Sequence, residues 1–426
     1  MRVLLLGAGG FIGRHILADL IGHGHDVVAI ARSARGLAEA FPNVRIIEMD
    51  LAGPMGAVDW TAMLSGIDIV VNAAGVLRGK DMWPVHVDMP RTLYAAAKGA
   101  GVKRVVLISA ISARTDVATD YARAKLEGEE ALRGAGIGWT ILRPSLVYGD
   151  GSYGGTSLMR GIASLPWCLP VPGNGDFAFT PIHARDLAKA VRLCCEEDRF
   201  GMQVLEPVGP VTLDLKTMLG RYRSWLGFGQ ARFLSIPLPL MRLMGRVGDI
   251  MGDGPIATNS LVQMVAGNAG DSESFAAAIG FQPRSLEAAM ASRPAQVQDR
   301  WHARLFFLAP AIRAVLVLLW LASALLGLMQ ADIQTKQLVT ALGLPDFWAD
   351  PLRIGSSLLD LLIAALVLFD RSARRSTQAQ LLVVLGYSIV IGIALPALWL
   401  DPLGPLLKNL PILALILVHG AIGDKR

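Results

Sequence analysis

The stretch MRVLLLGAGGFIG, residues Met1–Gly13, decides the fold of the N-terminal part of the chain. Its apolar run, Arg2–Leu6, has the length of a buried strand, and a helical pattern, Arg14–Leu20, follows the glycines. A strand, a glycine turn and a helix in this order present backbone N–H groups and a helix N-terminus to a pyrophosphate. The sequence therefore predicts a dinucleotide site; the alternative is a glycine-rich turn without a ligand.

The glycines of this turn have separate tasks. Gly7 makes the tight turn, Gly10 lets a phosphate approach the backbone, and Gly13 lets the helix pack close to the strand. Phe11 and Ile12 lie between the last two of these glycines and complete the cofactor contacts that we predict for the turn.

Composition sets the broad class of the protein. With 426 residues the chain is long enough for two or three domains, and its 53% hydrophobic and 18% charged residues indicate membrane segments. The net charge of +5 needs no nucleic-acid partner, because basic residues that flank membrane helices explain it equally well. Cys168, Cys194 and Cys195 lack metal-ligand spacing, so we expect reduced thiols and no metal. The first apolar run is too short for a signal peptide, so we expect a cytoplasmic N-terminal domain.

Strand-length apolar runs alternate with helical patterns after the glycine turn. Further strands are predicted at 26–31, 44–49, 67–71 and 105–108, with a helix at 90–100 before the last of them. This alternation predicts an α/β fold with a parallel, doubly wound sheet, in which ligands bind at the carboxyl ends of the strands.

Residues at these strand ends complete the predicted cofactor site. An acidic residue after the second strand would bind the ribose hydroxyls of NAD(H), but the chain has Arg32 there, and a guanidinium suits the 2′-phosphate of NADP(H). NADP(H) is therefore the predicted cofactor, and NAD(H) is the alternative. The competing interpretation of Arg32 itself is that it is a solvated loop residue that contacts no cofactor. Asp50 and Leu51 follow the third strand, where a side chain could bind the adenine amine. Small residues that let the backbone lie beside the cofactor follow the fourth strand: Ala73, Ala74 and Gly75.

Several motifs together resemble one known family. They are GAGGFIG at 7–13, the pair Asp50-Leu51, NAAG at 72–75, YARAK at 121–125 and RPSLVYG at 143–149. Over about residues 1–295 the chain resembles an extended or atypical short-chain dehydrogenase/reductase. Within that family it is most similar to the atypical branch that contains the Rossmann-like accessory subunit of respiratory complex I.

Tyr121 and Lys125 are the predicted catalytic pair. Residues four apart share one helix face, and an ammonium beside a phenol favours the phenolate and lowers its pKa. The resemblance implies that Tyr121 is the acid/base and that Lys125 tunes it and holds the nicotinamide ribose. The family also places a serine or threonine after the fifth strand, a position that aligns with Ala110. Ser109 or Ser112 could substitute for it; the alternative is that both are turn residues, which makes catalysis a weaker prediction than cofactor binding.

Residues 151–300 contain the variable part, with a predicted substrate region from about residue 150 and a linker at 296–310. Gly149–Gly155 is a flexible loop where a substrate lid would lie. His183 could face the substrate, although a structural, hydrogen-bonded histidine is the favoured interpretation.

The composition changes at about residue 311, and the segment 311–426 reads as a membrane domain. Four spans are predicted, at Ala311–Met329, Ile354–Phe369, Gln380–Leu400 and Pro405–Ile422. Basic residues predict both termini on the cytoplasmic side of the inner membrane: Arg293, Arg300 and Arg304, then Arg371, Arg374 and Arg375, and finally Lys425 and Arg426, against Lys336 and Arg353 outside. This segment resembles the DoxX-like family of four-helix membrane domains.

The sequence thus predicts a membrane-anchored, NADP(H)-preferring oxidoreductase or epimerase-type enzyme with a lipophilic substrate, such as a quinone, isoprenoid or acyl lipid. One alternative is a non-catalytic dinucleotide-binding subunit that stabilises or senses a membrane redox assembly. Another is that the membrane domain performs the redox chemistry while the N-terminal domain regulates it. Inside the membrane, an Asp360–Lys408 pair is predicted; the alternative is that Lys408 reaches the outer headgroups and Asp360 bonds a neighbouring helix.

Overall fold

The structure is a computed structural model that describes residues 1–54, 58–250, 258–329, 333–370, 372–402 and 404–423. The chain forms two compact units, Met1–Ala303 and Arg304–Arg426. The boundary between them lies inside the segment 296–310 that the sequence predicts as a linker, and residues 297–310 of that segment are helical. Arg371, Lys425 and Arg426, used above to orient the spans, lie outside the described residues.

The strands of the first unit are β1 (Arg2–Leu6), β2 (Asp26–Ala31), β3 (Arg45–Glu48), β4 (Ile69–Asn72), β5 (Arg104–Ile108), β6 (Gly138–Leu142), β7 (Val147–Tyr148), β8 (Leu169–Pro172), β9 (Ala178–Phe179), β10 (Ile182–His183), β11 (Gln203–Leu205), β12 (Leu213–Asp214) and β13 (Phe233–Ile236). Seven of them form a parallel sheet in the order β11-β6-β5-β4-β1-β2-β3. The order reverses at β1, so a crevice opens beyond the carboxyl end of this strand. The short pairs β10-β7, β12-β9 and β13-β8 lie outside the main sheet.

The helices of the first unit are α1 (Phe11–Gly22), α2 (Leu37–Ala40), α3 (Trp60–Leu64), α4 (Met89–Gly99), α5 (Asp120–Arg133), α6 (Gly155–Ala163), α7 (Ala184–Glu196), α8 (Leu215–Trp225), α9 (Leu238–Ile250), α10 (Thr258–Val265), α11 (Ser272–Ile279) and α12 (Leu286–Ser292). A π-helical turn, Pro84–Asp88, runs directly into α4.

Alternation along the strands builds the core on both faces of the sheet. In β1, Val3 and Leu5 pack in a cluster with side chains of α1 and α7, while Leu4 and Leu6 pack in a second cluster with side chains of α3 and α4. Successive side chains of a strand point to opposite faces, so an entirely apolar strand is buried on both sides. The predicted fold class, a doubly wound parallel sheet, is confirmed.

Helix α13 (Val297–Met329) begins in the first unit and continues into the second at Arg304. The other helices of the second unit are α14 (Ile333–Ala341), α15 (Ala349–Phe369), α16 (Arg374–Ala394) and α17 (Asn409–Ile422). Within the described residues, three helices are long and apolar enough to cross a membrane: Val297–Met329, Asp346–Phe369 and Arg374–Ala394. The helix Asn409–Ile422 is apolar but shorter. The third of these begins at Arg374 rather than at the predicted Gln380. It ends at Ala394 because Pro396, which opens a short 3-10 turn, cannot continue it.

The predicted Asp360–Lys408 pair is wrong. Asp360, which is 4% exposed, accepts hydrogen bonds from Ser323 Oγ of α13 at 2.5 Å and from Tyr387 OH of α16 at 3.3 Å. Lys408 is exposed, and among the described residues it forms no ion pair with Asp360. Asp360 therefore joins three helices through hydroxyl groups, as in the alternative interpretation.

Candidate functional site

The glycine turn has the shape that a dinucleotide site needs. Gly7 has a φ of +77°, and a Cβ atom there would lie 2.8 Å from the backbone carbonyl of Ala73. A Cβ atom at Gly13 would lie 2.1 Å from the carbonyl oxygen of Gly7. A side chain at Gly7 would clash with the loop after β4, and a side chain at Gly13 would clash with the glycine turn. Both positions therefore require glycine.

The N-terminus of α1 is open to an anion. Gly10 is its N-cap residue, no side chain caps the helix, and no acidic residue lies in the first turn. The N–H groups of Phe11, Ile12 and Gly13 belong to the first turn and have no intrahelical partner. Arg14, which sequence reasoning missed, donates from Nε to the carbonyl oxygen of Gly9 at 3.2 Å and so brings a cation to the same turn. These groups fit a pyrophosphate.

The side-chain amide of Asn72 fixes the conformation of the loop after β4. Asn72 is 2% exposed; its Oδ1 accepts from the N–H of Ala74 at 3.2 Å, and its Nδ2 donates to Tyr94 OH at 3.1 Å. The N–H of Ala73 donates to the carbonyl oxygen of Leu6 at 3.1 Å, which continues the sheet into the loop. The small residues that follow thus lie beside the glycine turn, as the strand order requires.

Three predicted residues lie where the adenosine end of the cofactor would be. Arg32 is exposed directly after β2, and no ion pair engages it among the described residues. Asp50 is exposed after β3 and accepts from the N–H of Ala52 at 3.1 Å, while Leu51 is buried. Glu48 was not predicted; its Oε1 accepts from the N–H of Ala34 at 2.5 Å and places a carboxylate in the loop that carries Arg32.

Tyr121 and Lys125 lie one helical turn apart on α5. Lys125 is 5% exposed, its Nζ lies 5.8 Å from the ring centroid of Tyr121, and it donates to the carbonyl oxygen of Ile108 at 2.8 Å. A Cβ atom at Gly75 would lie 3.9 Å from Lys125 Nζ, so the β4 loop and the ammonium lie together. The half-buried Tyr121 hydroxyl has no hydrogen-bond partner within the described part of the chain. It is free to bind a substrate oxygen.

Burial reverses the predicted effect on the phenol. It raises the pKa of Tyr121 to about 12, and it lowers the pKa of Lys125 to about 8 against the opposing charge of Glu129. The prediction that Lys125 lowers the pKa of the Tyr121 phenol is therefore wrong for the protein alone, because desolvation outweighs the nearby ammonium. At neutral pH Tyr121 holds its proton.

His86 forms a wall of this site that sequence reasoning missed. Its ring meets the ring of Tyr121 edge-on, with 5.7 Å between centroids, and its Nε2 lies 2.9 Å from the carbonyl oxygen of Val76. Burial and the charge of Lys125 lower the pKa of His86 to about 3, so the imidazole is neutral. There was little reason in the sequence to predict His86 as a site residue, since a single histidine outside a motif does not indicate a function.

The two candidate serines have different surroundings. Ser109 is 3% exposed and donates from Oγ to Glu129 Oε1 at 2.6 Å. Glu129 is fully buried and also accepts two bonds from Arg143, Nε to Oε1 at 2.9 Å and Nη2 to Oε2 at 2.7 Å. Ser112 is 3% exposed, and its hydroxyl has no partner among the residues that the structure describes. Ser112 therefore keeps a hydroxyl that is not engaged by the described residues, whereas Ser109 belongs to the Glu129–Arg143 network.

His183 is the N-cap residue of α7. Its Nδ1 accepts from the N–H of Arg185 at 3.2 Å, and its ring lies edge-on to Tyr148 with 5.1 Å between centroids. Burial lowers its pKa to about 4. These contacts agree with a structural histidine.

Comparisons with known proteins agree with this geometry. The family described as NAD(P)H-binding matches residues 7–162, and the DoxX-like family matches residues 317–417. Protein fmp52, mitochondrial, of Aspergillus niger is 31% identical over 178 residues, which make up 38% of this chain and 75% of that protein. The chain belongs to the NAD(P)H-binding Rossmann family. Its C-terminal part is a DoxX-like domain, and the predicted resemblance to both families is confirmed.

Other relatives of this NAD(P)H-binding protein have named activities or assemblies. Ceramide reductase of Caulobacter vibrioides is 30% identical over 212 residues, 48% of this chain and 64% of that protein, so the match spans slightly less than two thirds of the relative. NADH dehydrogenase (ubiquinone) 1 alpha subcomplex subunit 9 of Mus musculus is 23% identical over 265 residues, 59% of this chain and 67% of the subunit.

One solved structure illustrates the shared fold. NADPH-dependent quinone oxidoreductase of Escherichia coli, complexed with NADPH, is 21% identical to this chain with a TM-score of 0.55, and the match covers 68% of this chain and 99% of that one. At this identity the likeness concerns the fold alone. The NAD(P)H-binding protein thus shares its architecture with a dinucleotide enzyme.

Proposed function

We propose that the first unit is an NADP(H)-preferring oxidoreductase of the reductase and epimerase type, and that the second unit anchors it in a membrane where its lipophilic substrate resides. The observation that carries this proposal is the free hydroxyl of Tyr121 beside Lys125 and the Gly75 loop. A phenol and an ammonium at the carboxyl edge of a dinucleotide-binding sheet are the groups that carbonyl reduction requires.

The residues of the crevice have separate tasks toward the cofactor. The N–H groups of residues 11–13 would hold the pyrophosphate, with Arg14 adding a positive charge. Arg32 would bind the 2′-phosphate, and Asp50 and Leu51 would face the adenine. Lys125 would donate to the nicotinamide ribose. The bound nicotinamide supplies or accepts a hydride.

The proton chemistry favours reduction. Because the pKa of Tyr121 is raised to about 12, the phenol is protonated at neutral pH and can donate to a substrate oxygen that gains negative charge. Lys125 is charged below its pKa of about 8 and stabilises the phenolate that remains. Ser112, with its free hydroxyl, would hold the same substrate oxygen. Neutral His86 closes the site without competing for the proton.

The membrane part of the proposal rests on the second unit. Three long apolar helices and a DoxX-like match support association with a membrane. We propose that Asn409–Ile422 is the fourth span, since an even number of spans returns the chain to the side where basic residues are concentrated. Both termini and the nucleotide-binding unit would then be cytoplasmic, at the inner membrane. A substrate that partitions into lipid, such as a quinone, a ceramide-like acyl lipid or an isoprenoid, matches this anchoring.

The test uses the purified full chain in lipid nanodiscs with NADPH and a total lipid extract, and it measures the loss of nicotinamide absorbance. Tyr121→Phe removes only the hydroxyl, so we expect NADPH affinity to remain and turnover to drop by about two orders of magnitude. Tyr222→Phe is the control, because it removes a buried phenol hydroxyl from α8, a helix that carries no predicted cofactor or catalytic residue. Equal turnover in wild type and Tyr121→Phe would contradict the assigned role.

A second function has one observation in its favour. Ala110 occupies the aligned serine position, and Ser109 is committed to Glu129. A dinucleotide-binding subunit that senses or stabilises a membrane redox assembly would need the cofactor site but not the serine. Tight NADPH binding without consumption of NADPH, across a panel of carbonyl lipids and quinones, would favour this subunit role over the enzyme.

A further inference from the structure

The segment formed by β13 and α9 leaves large apolar side chains uncovered. Phe233 and Leu234 in the strand are 37% and 49% exposed, and Leu240 and Leu243 in the helix are 47% and 56% exposed. Trp167, two residues before β8, is 84% exposed. We name these five side chains the apolar patch. Four of them lie in the continuous segment β13–α9, where Phe233 and Leu234 expose the two opposite faces of the strand. Large apolar side chains exposed together in this way mark an interaction surface.

Strand pairing brings the parts of the patch together. β13 pairs with β8 in parallel, Phe233 opposite Leu169, and the N–H of Leu169 donates to the carbonyl oxygen of Arg232 at 2.7 Å. The loop that carries Trp167 therefore lies at the start of β13. The helix α9 follows β13 after Pro237, so the patch continues from strand to helix.

The helix α9 has one face packed against the rest of the first unit and an opposite face with exposed apolar side chains. At 100° per residue, buried Gly245 and half-buried Leu238 share one face, while Leu240 and Leu243 lie on the opposite face. A face of this kind, with low charge and large side chains, inserts into the boundary between headgroups and acyl chains.

Exposed cations border the patch. Arg232, Arg242 and Arg246 are exposed, and within the described part of the chain no ion pair engages any of them. Guanidinium groups beside exposed leucine and tryptophan complement an anionic lipid surface, because the apolar groups enter the interface while the cations bind phosphate headgroups. This charge complementarity selects the bilayer over an uncharged protein surface.

We propose that the apolar patch and its three arginines dock the first unit on an anionic lipid surface. The inference rests on the proposed membrane anchoring, which keeps such a surface close to the unit at all times. It deepens the proposed function, since β8 and β13 belong to the predicted substrate region from about residue 150. A lipophilic substrate would then pass from lipid to that region without crossing bulk water.

The test places one spin label in the full chain, in nanodiscs that contain phosphatidylglycerol. Cys168→Ser removes the half-buried thiol, and Cys194 and Cys195 stay buried at 0% and 6% exposure. Leu243→Cys then carries the label in the patch; Val204→Cys, at 39% exposure on the edge strand β11, is the control. Power saturation compares collisions with oxygen, which concentrates in lipid, and with a water-soluble nickel chelate.

We expect the ratio of oxygen to nickel collisions to be at least about fivefold higher at position 243 than at 204. Replacing Arg242 and Arg246 with glutamate should reduce that ratio and leave NADPH affinity unchanged. Equal ratios at both positions would overturn the proposal. Spin–spin broadening at 243 that disappears on dilution with unlabelled chain would show a second copy on the patch and would also overturn it. Incorporation into the disc tests the spans separately, so their failure is distinguishable from failure of the patch.

Discussion

Replacing Lys125 with methionine should stabilise the first unit while it removes cofactor binding. Lys125 is 5% exposed, and among the described residues its ammonium donates to one carbonyl oxygen, that of Ile108, at 2.8 Å. Burial lowers its pKa from 10.5 to about 8, although the charge of Glu129 opposes this effect. The folded unit therefore holds a cation at neutral pH at a cost in free energy.

The size and sign of this cost follow from the shift in pKa. A lowering from 10.5 to about 8 corresponds to about 3 kcal/mol against the charged folded state below pH 8. Between pH 8 and 10.5 the unfolded chain binds more protons, so wild-type stability rises with pH through this window. Methionine removes the cost but also loses the bond to Ile108, worth about 1–2 kcal/mol. We expect Lys125→Met to be more stable than wild type by about 1–2 kcal/mol at pH 7. At pH 9.5 the two should be about equally stable or wild type slightly more stable, because wild type gains about 2 kcal/mol between pH 8 and pH 9.5.

Native cysteines provide a reporter for the first unit alone. All three cysteines lie in Met1–Ala303, and Cys194 and Cys195 are buried in α7. In a Cys168→Ser background, a fluorogenic thiol dye would measure denaturant unfolding of this unit in the full chain, with each variant compared with wild type at the same pH. Lys80→Met, at an exposed lysine, is the control and should show no pH-dependent difference.

The reasoning would be refuted by a Lys125→Met variant that is less stable than wild type at pH 7. A stability difference that stays constant from pH 7 to pH 9.5 would also refute it, since the lysine would then keep an ordinary pKa. NADPH affinity, measured by calorimetry on the same samples, should drop at least about tenfold in the variant, equivalent to about 1.4 kcal/mol.

Three further outcomes are expected. Arg32→Asp should shift preference from NADPH toward NADH by about tenfold in calorimetry, because a carboxylate repels the 2′-phosphate and accepts ribose hydroxyls; a wild type that prefers NADH would contradict it. Gly10→Val should abolish binding of either nucleotide, since its side chain would occupy the open N-terminus of α1; because a Cβ atom there would lie 3.2 Å from the carbonyl oxygen of Gly7, thermal unfolding of the same samples must show that the unit still folds. Asp360→Asn should keep the stability of the second unit in detergent, whereas Asp360→Leu, which leaves the Ser323 and Tyr387 hydroxyls without their acceptor, should cost about 1–3 kcal/mol per hydroxyl.

Local patterns were sufficient for the framework of the fold. The second strand was predicted at Asp26–Ala31, and the structure has the same bounds. Its run of apolar residues is bounded by a polar loop on either side, so propensity and burial agree there. The first helix begins at Phe11, earlier than predicted, because Gly10 is its N-cap and the glycine turn is already part of the helix start. The strand order reverses at β1, as expected for the doubly wound sheet that the alternation of strands and helices predicted.

The candidate site was predictable by position but not by electrostatics. The glycine turn, the β4 loop and the Tyr121–Lys125 pair meet at one edge because parallel strands end there. The pKa values depend on burial, which no spacing reveals. The sequence did contain a pattern that places Glu129 near the site, since Glu129 follows Tyr121 and Lys125 at the same four-residue spacing on α5. Its pairing with Arg143 joins α5 to the loop after β6 and required the folded chain.

The membrane charges show why depth alone does not determine a partner. Counting 1.5 Å per residue gives the height of Asp360 and Lys408 along their helices, and those heights were compatible with a pair. The direction in which each side chain points depends on rotation about the helix axis, which packing sets. In the structure Asp360 turns into the bundle toward Ser323 and Tyr387, while Lys408 lies exposed before α17 begins at Asn409. Two hydroxyl donors thus satisfy the carboxylate that depth alone had paired with a cation, and a polar group inside an apolar bundle needs such partners whichever residue supplies them.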